Sequence, residues 1–169
     1  NVTTRRESQE KLQKSEERFS LAMRGANDGL WDWNLETNEV YYSPRWKSML
    51  GYENDELINN FSTWQNLVHP NDKDRVLQIV QDYLVDKIDS FDVEMLMQHK
   101  AGHEVSVLSR AFLVHRDSDS KAVRLVGTHV DITARKKASS FDDKNAEILE
   151  MIATRKPASE IYPEIALMY

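Results

Sequence analysis

The chain contains no cysteine. That excludes disulfides, thiolate metal ligands and a cysteine nucleophile, and it fits a reducing, cytoplasmic compartment. No apolar run reaches the roughly 20 residues that a membrane-spanning helix needs, and no signal peptide is legible at the start. Contact with a membrane is therefore not expected within this stretch. A basic excess is missing too: Lys and Arg number 22 against 28 Asp and Glu, for a formal net charge of −6. Phosphate binding needs a basic face, so a nucleic-acid partner is not expected. Also lacking are a Gly-rich phosphate loop, a Ser/His/Asp order, metal-ligand spacing and paired catalytic carboxylates. Neither catalysis nor a metal site is expected of this chain.

What is present is enough for one domain with flanking helices, in 169 residues. The chain begins at Asn1 and ends at Tyr169 inside an apolar helical pattern, as a piece of a longer protein would. Residues 4–27 are rich in Arg, Lys, Glu and Gln, with Leu12, Phe19 and Ala26 seven residues apart. They predict an amphipathic helix with a weak coiled-coil seam, or one packed on its own domain. Alternating aromatics from Leu30 to Leu35 and at Val40–Tyr42, around a Thr-Asn turn, predict a β-hairpin. Ser43-Pro44 and His69-Pro70 open two helices, with short helical turns expected over 53–69. Three antiparallel strands follow, at 91–99, 104–115 and 122–132, joined by short turns. After Lys137 the pattern is helical, with Phe141, Asn145, Ile148, Leu149 and Ile152 on one face and a break at Arg155-Lys156-Pro157.

On the last two strands, Val105, Val107, Ser109, Ala111 and Leu113 share a face with Leu125, Gly127 and His129. The opposite face carries Leu108, Phe112, Val114, Val126 and Val130. A sheet with one wet face alternates cleanly between apolar and polar residues. Here both faces call for cover: the short helices at 43–86 on one side, and on the other the N-terminal helix or a second copy of the chain.

The order of elements, with Trp31-Asp32-Trp33-Asn34-Leu35, Tyr42-Ser43-Pro44-Arg45-Trp46, Met49-Leu50-Gly51-Tyr52, Leu67-Val68-His69-Pro70-Asn71-Asp72 and Asp131-Ile132-Thr133, resembles a PAS sensor domain of the aromatic-rich subgroup. Ala101-Gly102 stands where that family's turn usually reads Asp-Gly. The resemblance covers roughly 27–137. It implies an α+β fold: a five-stranded antiparallel sheet with short helices on one face, flanked by N- and C-terminal helices. The expected division is a linker helix at 1–26, a sensor domain at 27–137, and a signalling helix at 138–169. Ile148–Ala153, Pro157 and Ile161–Met168 are similar to the opening helices of a GAF domain. The parent would then be a bacterial multi-domain signalling protein, with a histidine kinase or a cyclic-di-GMP enzyme as its output.

The implied function is a sensory and dimerisation module, coupling a ligand or partner event to that output domain. The alternative is a ligand-free structural pairing domain. Trp31, Trp33, Tyr41, Trp46 and Trp64 either line an aromatic pocket or fill it. Met95, Met97, Val107, Ser109, Leu125 and His129 complete the candidate ligand pocket on the inner face. His129 is a ligand or pH-responsive group, or a core histidine satisfied by a neighbouring backbone or hydroxyl group. His69 is expected to be structural, and His99, His103 and His115 solvated. The absence of cysteine argues against a cysteinyl flavin, and the absence of histidine over 71–86 argues against haem. Asp131, Ile132 and Thr133 are the expected signal-transfer residues, where a strand hands over to a helix through a side-chain cap.

Overall fold

The computed structural model of the chain describes residues 1–154, apart from the side chain of His115. The break at Arg155-Lys156-Pro157 and most of the GAF-like segment lie outside the described residues. Helix α1 spans Val2–Ala26, capped by the Asn1 side chain and closed by Asn27 in the left-handed region (φ 57°). None of its residues is buried.

The hairpin forms as expected, with β1 at Gly29–Asn34 and β2 at Val40–Tyr42. The Asn34 carboxamide oxygen accepts from the amides of Glu36 (2.9 Å) and Thr37 (3.1 Å) and so shapes the turn. Helix α2 runs over Pro44–Ser48. The Ser43 hydroxyl caps it at Trp46 N–H and also accepts from Leu30 N–H (2.9 Å), which fastens β1 to α2. The stretch expected as short helical turns yields one helix, α3 at Phe61–Leu67, whose N-cap Asn60 accepts from Ser62 N–H (3.0 Å). Helix α4, Pro70–Leu84, is capped by His69, whose Nδ1 accepts from Asn71 N–H (3.2 Å).

Strands β3 (Phe91–Gln98), β4 (Glu104–Arg116) and β5 (Ala122–Asp131) complete a five-stranded sheet in the order β2-β1-β5-β4-β3. All its pairings are antiparallel. The core lies between the inner sheet face and α2, α3 and α4 with the turn after α2, and among its residues are Trp46, Leu50, Trp64, Leu67, Val76 and Val80. The free edge of β3 is covered by the start of α4. His69 N–H donates to the Leu96 carbonyl (2.8 Å), Leu96 N–H to the Asp72 carboxylate (2.8 Å), and Arg75 to the Glu94 carbonyl (2.7 Å). An edge whose backbone groups are paired this way offers no template to another strand. The outer face carries the ion pairs Arg124–Asp32 and Arg110–Asp92. Beside them stand Tyr41, Phe112 and Val114, exposed by 49%, 70% and 54%.

Residues Asn1–Asp131 form one compact unit, and a second begins at Ile132. In the second, α5 spans Thr133–Ala153. Its N-cap position is Ile132, which makes no side-chain capping bond. A hydrocarbon side chain at that position has no acceptor to offer the new helix.

Candidate functional site

The inner face converges on His129. Gly29 lies opposite it across the β1–β5 pair, and a Cβ on Gly29 would stand 2.6 Å from the Trp46 Cα. Only a residue without a side chain lets α2 approach that closely. The approach brings the Trp46 indole over β5, where its Nε1–H donates to His129 Nδ1 at 2.8 Å. Trp31 meets the same imidazole edge-on, at 5.9 Å between ring centres. Burial pushes the His129 pKa down from 6.5 to about 3, so the ring is neutral. A neutral imidazole that accepts on Nδ1 carries its proton on Nε2. Of the two roles open to His129, the hydrogen-bonded core histidine is present, with an indole as its partner where a backbone or hydroxyl group was expected.

Beside this cluster is a cavity of about 40 Å³, bounded by Trp31, Trp33, Trp64, Met95, Ser109, Leu125 and His129 among the expected residues. It holds about three water-sized molecules. Val40, Tyr42, Phe61, Val76, Val80 and Phe91 complete its wall. Gly127 explains how large and small side chains fit: a Cβ there would strike the Trp31 ring and the Arg110 carbonyl. Trp31 therefore lies across Gly127, while Ser109, paired with His129 across β4 and β5, leaves open space.

Three expectations are corrected. Tyr41 points away from the cavity and is half exposed. Trp31 pairs with Tyr42 and Trp33 with Val40, so the two-residue period puts Tyr41 on the outer face with Asp32. Tyr42 is the true wall residue; its hydroxyl donates to the Asn60 carbonyl (3.1 Å), and burial raises its pKa. Trp46 is fully buried outside the cavity wall, behind two wall residues: it bonds His129 and packs on the Tyr42 ring, 4.1 Å between centres. Met97 and Val107 are fully buried core residues outside the cavity wall.

Of the residues missed, Phe91 sits on the same strand face as Met95, and Val76 and Val80 on the apolar face of α4. Both patterns were available in the sequence. Phe61 was not placed: it stacks on Trp33 (4.2 Å between centres, planes 6° apart) and packs on Trp64 (5.4 Å). At the other end of the sheet, His99 and His103 stack on each other at 4.1 Å across the β3–β4 turn. Asp131 ends β5 paired with Val107, and one residue, the buried Ile132, separates it from α5.

A five-stranded antiparallel sheet of this order, with helices over one face and a cavity beneath them, defines the class of small α+β sensory folds. The chain belongs to the PAS fold family, whose model matches residues 39–129, more than half of the 169 residues. A crystal structure of a sensory box histidine kinase/response regulator from Burkholderia thailandensis is 34% identical, with a TM-score of 0.64. The match covers 83% of this chain and 99% of that one. Hybrid signal transduction histidine kinase A of Dictyostelium discoideum is 39% identical over 49 residues, which is 29% of this chain. The methyl sulfide methyltransferase-associated sensor of Methanosarcina acetivorans is 27% identical over 114 residues, 68% of this chain. The chain spans 2% and 11% of these two curated relatives. Signal sensing is the role that family and relatives assign to a domain of this kind.

Proposed function

We propose that this chain is a sensory and dimerisation module that registers a small molecule in the cavity and passes the event through β5 to an output domain of the same parent chain. The observation that carries this reading is the double duty of β5. The strand supplies Leu125 and His129 to the cavity wall and ends at Asp131, one residue before α5 begins. Asp131, Ile132 and Thr133 are then the signal-transfer residues. A shift of β5 changes where the helix starts, and a few kcal/mol between two arrangements suffices to switch such an element. The histidine kinase relatives favour a kinase as output; a cyclic-di-GMP enzyme is the second reading. The ligand is smaller than haem or flavin, since sites for drug-sized ligands run to roughly 300–1,000 Å³.

Pairing with a second copy is supported by the apolar residues that the fold leaves uncovered. Leu12 and Phe19 on α1 are 61% and 56% exposed, and Phe112 on the outer sheet face 70%. The rival reading, a pairing domain without a ligand, draws support from how little of the core the cavity occupies. Thermal-shift screening against small neutral metabolites separates the two. The sensor reading predicts saturable stabilisation by at least one chemical class. A flat response across a broad library favours the rival.

A further inference from the structure

Trp46 leaves the His129 ring with one nitrogen to spare. Its indole N–H occupies Nδ1 at 2.8 Å, so the proton of the neutral imidazole sits on Nε2. A second proton on Nδ1 would break that bond, and the ring is thereby held as a donor to whatever meets Nε2. Ser109 is the cross-strand partner of His129, and both residues line the cavity. His129 Nε2 and Ser109 Oγ have no hydrogen-bond partner among the described residues, yet neither is sealed off by protein atoms as Trp31 Nε1 is. The two residues are 3% and 1% exposed and stand on the inner sheet face, so the little surface these atoms keep opens on the cavity. A buried donor gains from an acceptor placed against it. Other polar groups of the wall are already engaged: Trp33 Nε1–H donates to Asn38 Oδ1 (3.3 Å) and the Tyr42 hydroxyl to the Asn60 carbonyl (3.1 Å). Trp64, on α3, offers only a further indole donor. No Asp, Glu, Lys or Arg lines the cavity, so a charged ligand would be stripped of water with no opposite charge to meet it.

Resting on the reading of this cavity as the ligand site, we infer that His129 and Ser109 are its anchor, and that it takes a neutral molecule of about three non-hydrogen atoms bearing a hydrogen-bond acceptor, such as a small amide or carbonyl compound, held by His129 Nε2–H and the Ser109 hydroxyl. Trp46 is the positioning residue, since its bond fixes which nitrogen of the ring faces the ligand.

Three probes of similar size test this on the whole ¹⁵N-labelled chain: formamide, formate and xenon. Long-range ¹H–¹⁵N spectra of the imidazoles report His129 directly, with His69, His99 and His103 as internal references. In the free chain at pH 7, His129 should carry its proton on Nε2; a proton on Nδ1 instead would overturn the inference. Formamide is expected to move the His129 Nε2 resonance saturably, with a midpoint in the millimolar range that so few atoms permit. Formate should bind at least about tenfold more weakly. Ser109→Ala should weaken formamide about threefold or more and leave xenon binding no weaker. An unchanged formamide midpoint in that variant would overturn the paired anchor. Equal binding of formamide and formate, or a formamide response at the Trp64 indole with none at His129, would overturn the inference while leaving a ligand cavity in place. Silence of every wall resonance towards all three probes would overturn both the inference and the ligand-site reading beneath it.

Discussion

Protonating His129 breaks the bond it accepts from Trp46, and the buried ring resists that. Its pKa is about 3 in the folded chain against 6.5 when solvated. Between those values the unfolded chain binds the extra proton and the folded chain does not. Stability from this group is therefore complete above about pH 6.5 and is lost as pH falls towards 3, at up to about 1.4 kcal/mol per pH unit. His129→Gln keeps an acceptor but not the titration. Urea unfolding at pH 7 and pH 5 should show the variant losing about 1–2 kcal/mol less than the parent over that interval. Equal losses would contradict the account. Gly127→Ala drives a methyl group into Trp31 and the Arg110 carbonyl, and should cost about 1–3 kcal/mol in the same assay. Placing His129 on the inner face needed only the alternation of β5. Its partner lies 83 residues away, and no local pattern encodes that distance.

At the scale of elements, much was legible because punctuation and period agreed. Ser43-Pro44 and His69-Pro70 became helix starts with side-chain caps, and the inner faces of β3, β4 and β5 alternate as expected. Two features resisted. The facing of β2 depends on pairing parity with β1, and a strand as short as Val40–Tyr42 with adjacent tyrosines gives no sign of it. The stretch before α3 holds its shape through long-range polar contacts. Lys47, nearly buried, donates to the carbonyls of Asn54 (2.8 Å) and Leu57 (3.2 Å). The latch on β3 makes an element-level prediction. Asp72→Ala removes the acceptor of Leu96 N–H, an amide that is part-buried at that bond. It should cost about 1–3 kcal/mol and raise hydrogen exchange at the Leu96 amide. Unchanged exchange there would show that the edge is held by other means.

For the molecule as a whole, the proposed function joins a cavity under the helices, a strand that borders it and exposed apolar residues on α1 and the outer sheet face. Phe19→Glu and Phe112→Glu place a charge at an exposed apolar position of α1 and of the outer sheet face, and should lower the sedimentation coefficient of a paired chain towards that of the monomer. An unchanged coefficient in both variants would remove pairing from the account. The coupling itself is tested most directly by filling the cavity from within. Ser109→Val adds apolar volume beside His129, on the strand paired with β5. Amide hydrogen exchange is then compared between parent and variant. The account predicts an exchange change of about threefold or more across Val130–Lys136, with residues 3–14 of α1 unaltered. Identical exchange from Val130 to Lys136, in a variant whose cavity resonances show that it has been filled, would contradict it.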